Sequence, residues 1–151
     1  MDYNPNPYDK IIEQVWLGNK KGAVDRDFML RNNIKLVVNC AKELDAPLFY
    51  KDLQIAYIWL PMYDVNDRES NEILSNNIDL ILDTIHNYRK NGMNVFIHCH
   101  AGMSRSATVL AAYLIRYYDH HYKLAIFYIQ TKRPITFRPR PNFEQFLSQF
   151  K

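Results

Sequence analysis

The stretch Asn94-Val95-Phe96-Ile97-His98-Cys99-His100-Ala101-Gly102-Met103-Ser104-Arg105-Ser106 decides how this chain is read. Val95-Phe96-Ile97 is short, apolar and preceded by Gly92, which predicts a buried strand. Residues from Ser104 to Tyr118 carry a helical pattern, so a tight loop joins a strand to a helix start. Such a loop makes an anion site, because successive backbone N–H groups curl into a nest and the following helix adds its positive end. Gly102 supplies the backbone freedom for the curl. Arg105 opens the helix with a planar fork that can hold two anionic oxygens. Cys99 lies where these dipoles converge, and a thiol there is expected to ionise readily. A thiolate facing an oxyanion cradle is suited to nucleophilic attack on a phosphoryl group. His98-Cys99-His100 does not read as a metal site, since adjacent side chains face different ways and no second ligand pair accompanies them. No metal and no cofactor is expected.

Working outward, Ile34 to Cys40 and Ile55 to Leu60 are short, β-branched runs that predict two more strands, the second closed by Pro61. Ile11 to Leu17, ending at Gly18, predicts an opening strand, and Val24 to Asn32 a short helix. Leu74, Ile78, Ile81, Leu82, Ile85 and Tyr88 recur at three- and four-residue steps, the apolar stripe of a long helix that ends before Gly92. Tyr122 to Lys132 and Pro141 to Phe150 read as the last two helices. Strands separated by helices imply crossovers, so the expected fold class is α/β: one domain with a central, mostly parallel twisted sheet flanked by helices. In such sheets chemistry sits beyond the carboxyl ends of the strands.

Composition fits this picture. The chain has 151 residues, 48% hydrophobic and 23% charged, enough for one hydrophobic core and too apolar for disorder. No apolar run approaches the roughly 20 residues of a membrane span, and Met1 to Pro7 lacks the pattern of a secretory signal. Two cysteines make no disulfide framework, so an intracellular, reducing location, cytoplasmic or nuclear, is expected, with no membrane partner. The net charge of +3 does not mark a nucleic-acid binder. Lys132, Arg133, Arg138 and Arg140 nevertheless crowd one stretch, which reads either as a solvated basic loop or as an edge for an anionic partner.

His98-Cys-x-x-Gly-x-x-Arg-Ser resembles the active-site loop of the cysteine-dependent protein tyrosine phosphatases. Ala101-Gly102-Met103-Ser104-Arg105-Ser106-Ala107, followed by Ala112-Tyr113-Leu114, is similar to the small, atypical dual-specificity branch in particular. Ile12 to Gly18 resembles that family's opening strand, and Pro141-Asn142-Phe143 with Phe146 and Leu147 its final helix entry. The resemblance implies a catalytic domain over residues 9–151 after an N-terminal tail of residues 1–8. It also implies hydrolysis of phosphotyrosine, phosphoserine and phosphothreonine in phosphorylated protein substrates through a phospho-cysteine. In that scheme Cys99 is the nucleophile, and the backbone of His100, Ala101, Gly102, Met103, Ser104 and Arg105, with the Arg105 guanidinium, holds the phosphoryl oxygens. Ser106 hydrogen-bonds the sulfur and His98 orders the loop.

The resemblance further implies a general acid, an aspartate on the loop before the long helix. Asp67, thirty-two positions before Cys99, is preferred there, with Asp64 the alternative. Cys40 reads as a small core residue or, at the end of a neighbouring strand, as a redox partner of Cys99. Two other functions stay open: an RNA 5′-triphosphatase or other phosphomonoesterase, which the basic stretch keeps in view, and a phosphate-binding pseudophosphatase. Against the first, the loop carries no lysine for a polyphosphate; against the second, neither Cys99 nor Arg105 is lost.

Overall fold

The computed structural model describes residues 6–151. A hairpin of β1 (Tyr8–Ile12) and β2 (Val15–Gly18) opens the fold. Two short helices follow, α1 (Lys20–Ala23) and α2 (Arg26–Arg31), and then β3 (Ile34–Asn39), α3 (Phe49–Asp52) and β4 (Ala56–Trp59). The long α4 (Arg68–Lys90) leads to β5 (Asn94–His98), and α5 (Arg105–Tyr117), α6 (Tyr122–Lys132) and α7 (Glu144–Gln149) complete the chain. The five strands lie in the order β1-β2-β5-β3-β4, with only the β1–β2 pair antiparallel. The fold is therefore the α/β domain with a mostly parallel sheet that the strand and helix spacing implies.

Side chains of β5 alternate between two cores, as a strand buried on both faces requires. Val95 and Ile97 pack with α4, α5 and α6, whereas Phe96 packs with Phe28, Tyr50 and Val37 beneath the short helices. Leu74, Ile78, Ile81, Leu82 and Ile85 of α4 are all buried, as their spacing predicts. β5 occupies the middle of the sheet, so the loop at its carboxyl end emerges between β2 and β3.

Several boundaries differ from the sequence expectation for local reasons. The opening strand from Ile11 to Leu17 is two strands, reversed at Glu13-Gln14, where Gln14 takes φ +71°. The helix expected from Val24 starts at Arg26, because the Asp25 side chain caps it by accepting from the Phe28 N–H at 2.9 Å. The last helix starts at Glu144 rather than Pro141. The expected tail, residues 1–8, lies partly outside the described residues, and its last member, Tyr8, opens β1.

Candidate active site

Six successive carbonyls define the loop after β5, and each is turned away from a common centre toward a donor behind it. The Cys99 carbonyl lies 3.3 Å from His98 Nδ1, and that of His100 accepts from the Lys20 N–H at 3.0 Å. The Ala101 and Gly102 carbonyls accept from Arg133 Nη2 and Nε at 3.1 and 2.9 Å. Met103 accepts from the Phe137 N–H, and Ser104 from the Thr108 N–H and hydroxyl, all at 2.8 Å. A trans peptide holds its N–H opposite its C=O, so the N–H groups of His100 to Arg105 converge on the other side. Gly102, at φ +68°, makes the curl possible, and a Cβ there would lie 2.5 Å from the Gly18 carbonyl oxygen.

That other side is a cavity of about 330 Å³ lined by Cys99, His100, Ala101, Met103, Ser104 and Arg105 from the loop and by Glu43, Asp64, Arg138, Arg140 and Asn142 around it. Cys99 is 2% exposed, and its Sγ is 3.1 Å from Ser106 Oγ. The amino end of α5, 13 residues long, points its positive pole into the same space. Three buried side-chain polar atoms lack a partner among the described residues, and two of them, Ser104 Oγ and Arg105 Nε, belong to this loop. Buried orphan donors are rare and costly, and a ligand anion would satisfy them.

Arg105 is held by a residue that sequence reasoning did not find. Its Nη1 and Nη2 donate to the two oxygens of Glu43 at 2.7 and 2.9 Å, and Nη1 also donates to the Met62 carbonyl at 2.8 Å. The Nε–H and one Nη2–H are left to meet an anion. Glu43 is held down to about 2, first by its hydrogen bonds from Arg105, with partial burial opposing. The loop that delivers it is tied by Asn39, whose side chain donates to the Leu44 carbonyl and accepts from the Ala41 N–H, both at 2.9 Å. A carboxylate just past the carboxyl end of β3, the strand next to β5, is the signal that could have pointed to Glu43.

The two aspartates part company. Asp67, the preferred acid, is the N-cap of α4: its side chain accepts from the Ser70 N–H at 2.8 Å, and it is not among the residues lining the cavity. Asp64 lines the cavity and accepts from Asn142 Nδ2 at 2.9 Å. The buried Ser70 hydroxyl contacts the backbone N–H and carbonyl of Tyr63 at 3.2 Å each, fixing the chain one residue before Asp64.

His98 is buried, stacked on Phe96, and pushed down to about 4 by burial, so it is neutral at physiological pH. A carbonyl can only accept, so Nδ1 carries the proton toward Cys99. Cys40 is wholly buried, and burial first, then the neighbouring Cys99, push its thiol well up, the condition of an inert core thiol. The basic stretch is not one surface. Arg133 is buried, Lys132 lies over the Tyr128 ring, and only Arg138 and Arg140 reach the cavity mouth.

A thiol, an N–H cradle and an arginine in one cavity call for comparison with known proteins. Residues 15–151 match the family model described as dual specificity phosphatase, catalytic domain. The chain belongs to this family. It is 31% identical over 142 residues to dual specificity protein phosphatase 18 of Rattus norvegicus, covering 94% of this chain and 66% of that protein. Dual specificity protein phosphatase 21 of Homo sapiens is 30% identical over 144 residues, 95% of this chain and 72% of that one. The crystal structure of DUSP15 superposes with a TM-score of 0.82 at 27% identity, covering 94% of this chain and 85% of that one. The chain is thus a cysteine-dependent dual-specificity protein phosphatase domain, and the RNA-phosphatase and pseudophosphatase alternatives are not favoured. Among the described residues no helix is long and apolar enough to cross a membrane.

Proposed function

We propose that residues 9–151 form the catalytic domain and that Cys99, Arg105, Ser106 and Asp64 carry the reaction. The Cys99 thiolate attacks the phosphorus of a phosphorylated side chain, and the bond from phosphorus to the ester oxygen breaks. That oxygen takes a proton from Asp64 and leaves as tyrosine, serine or threonine. Water then attacks the phospho-cysteine, gives its proton to Asp64, and releases phosphate as the thiolate departs onto the Ser106 hydroxyl. The N–H groups of His100 to Arg105 and the free N–H groups of Arg105 hold the equatorial oxygens throughout. His98, neutral and buried, fixes the Cys99 peptide and moves no proton. The observation that carries this reading is the outward set of carbonyls from Cys99 to Ser104, which leaves six N–H groups and a thiol facing one point. A thiol with this role has to stay reduced, which favours a reducing compartment such as the cytoplasm or nucleus.

The test is phosphate release from a phosphotyrosine peptide, a doubly phosphorylated Thr/Tyr peptide and a 5′-triphosphorylated RNA, beside Cys99→Ser. Release from both peptide residues, abolished in Cys99→Ser, is expected. Faster release from the RNA, or turnover that survives in Cys99→Ser, overturns the reading.

A further inference from the structure

Arg133 is the residue behind the cradle. It closes α6 and is only 1% exposed, although it carries a permanent charge. All three of its guanidinium nitrogens are engaged. Nε and Nη2 donate to the Gly102 and Ala101 carbonyls, while Nη1 donates to the Asn6 carbonyl at 2.7 Å and to Asp9 Oδ2 at 2.8 Å. One planar fork therefore grips two consecutive peptides of the loop and the strand β1 at once. The fit leaves no slack, since a Cβ on Gly102 would lie 2.7 Å from Nη2.

We infer that Arg133 is a positioning residue for phosphoryl transfer, acting through the Ala101–Gly102 and Gly102–Met103 peptides, with Asp9 holding it in place. Two physical effects follow from that geometry. The first is orientation: pinning both carbonyls backward fixes the Gly102 and Met103 N–H groups toward the cavity, where they cost no reorganisation when charge develops. The second is polarisation: a cation on each carbonyl draws electron density along the peptide and makes its N–H a stronger donor to an anion. Arg133 touches no substrate. Its charge lies behind the backbone it grips and does not line the cavity, which separates it from Arg105. Asp9 sits on β1, opposite Leu17 of β2, so the N-terminal hairpin becomes part of the machinery although it does not line the cavity.

The inference rests on the phosphatase reading, and the experiment keeps the two apart. Wild-type turnover of an aryl phosphate tests the reading; the ratio of variant to wild type tests Arg133. Arg133→Lys keeps the charge and most of the volume but cannot grip two carbonyls in one plane. Arg133→Met removes charge and donors together. For each, kcat, the inhibition constant of orthovanadate and the melting temperature are measured. A purely structural role lowers the folded fraction, which lowers apparent kcat but leaves the vanadate constant of the folded molecules unchanged. A positioning role moves both together. Expected are a fall in kcat and a matching rise in the vanadate constant, about tenfold in Arg133→Lys and about 10²–10³-fold in Arg133→Met, the range of a lost oxyanion donor. If Arg133→Met does not fold, Arg133→Lys decides alone. Folded Arg133→Lys with a vanadate constant within twofold of wild type overturns the inference, whatever happens to kcat.

Discussion

The phosphate loop, residues 99–105, and the acid loop, residues 62–67, face each other across the cavity but are held in opposite ways. In the first, every carbonyl from Cys99 to Ser104 has a donor supplied by other parts of the chain, among them Lys20, Arg133 and Phe137. In the second, the chain is gripped at Tyr63 by Ser70 and capped at Asp67, while Asp64, Val65 and Asn66 between them are exposed. The difference matches the role proposed for each loop. An oxyanion cradle works by being fixed before charge develops. An acid must reach leaving groups of different length, from a phenol ring to a serine hydroxyl, and gains from a short, solvent-exposed span held by few bonds: Asn142 on Asp64, Asn71 on Asn66 and the Asp67 N–H on the Val65 carbonyl.

The sharpest way to break this contrast is Gly102→Ala. The methyl group meets the Gly18 carbonyl at 2.5 Å and Arg133 Nη2 at 2.7 Å, at a φ of +68° that alanine resists. Displacement of the loop by even about 1 Å misaligns several N–H groups at once, and we expect kcat/KM to fall by about 10³-fold or more with a lower melting temperature. Val65→Ala, in the exposed span, should leave stability within about 0.5 kcal/mol of wild type. Steady-state kinetics and thermal denaturation of the two variants side by side check both expectations.

The next effect lies within the acid loop. Asp64→Asn should lower kcat by about 10²–10⁴-fold on poor leaving groups such as phosphoserine, and by much less on an activated aryl ester that needs no proton. Asp67→Asn should change kcat by less than about twofold, because asparagine caps a helix as well as aspartate does. Asp67→Ala should instead cost about 1 kcal/mol of stability, read by denaturant titration. A large kcat loss in Asp67→Asn, with Asp64→Asn active, would return the acid to Asp67.

This pair of aspartates also separates what the sequence reveals from what only the fold reveals. The phosphate loop was legible because its chemistry is contiguous: strand, Cys99, Gly102, Arg105 and Ser106 are close neighbours whose local geometry is set by the peptide itself. Asp64 and Asp67 stand three positions apart on the same connection, and no local rule separates them. What sets them apart in the fold is Asn142, 78 residues away, which donates to Asp64, and the Ser70 hydroxyl. Glu43 and Arg133 were missed as site residues for the same reason, since each reaches the site through contacts distant in sequence. The one-turn helices α1 and α3 were missed because four residues leave no periodicity to detect. The hairpin reads as one strand because its two-residue turn, Glu13-Gln14, carries no glycine, proline, asparagine or aspartate to mark the reversal.

Glu43 and His98 bracket the phosphate loop from the front and the back, and acid should release them in different windows. Glu43 sits at about 2 against an ordinary 4.5, so its contribution to stability is present above pH 4.5 and lost as pH falls toward 2. Because its side chain is 48% exposed, that contribution is small. His98 sits at about 4 against 6.5, so the unfolded chain takes up the proton first, and stability declines from pH 6.5 down to 4. The shift corresponds to a loss on the order of 3 kcal/mol. Denaturant midpoints across this range should fall more steeply in wild type than in His98→Asn. Glu43→Gln keeps the shape but removes the charge that aligns Arg105, and a fall of about tenfold in kcat/KM is expected at pH 7.

The smallest effect concerns the rim where the two loops meet the substrate. Arg138 and Arg140 are exposed at the cavity mouth, and neither forms an ion pair with a carboxylate among the described residues. Positive charge at this position is expected to favour phosphorylated segments with acidic neighbours. Exposed charges act through a screened field, so each contributes a fraction of a kcal/mol up to about 1 kcal/mol. The double variant Arg138→Gln/Arg140→Gln should therefore raise KM several-fold for a phosphopeptide flanked by glutamates, and less than twofold for one flanked by alanines. Raising salt from about 0.05 to 0.5 M should shrink the difference between the two peptides in wild type, because the Debye length contracts roughly threefold. Equal KM values for the two peptides in wild type at low salt would mean that selectivity resides in the cradle alone and that the rim is only a solvated edge.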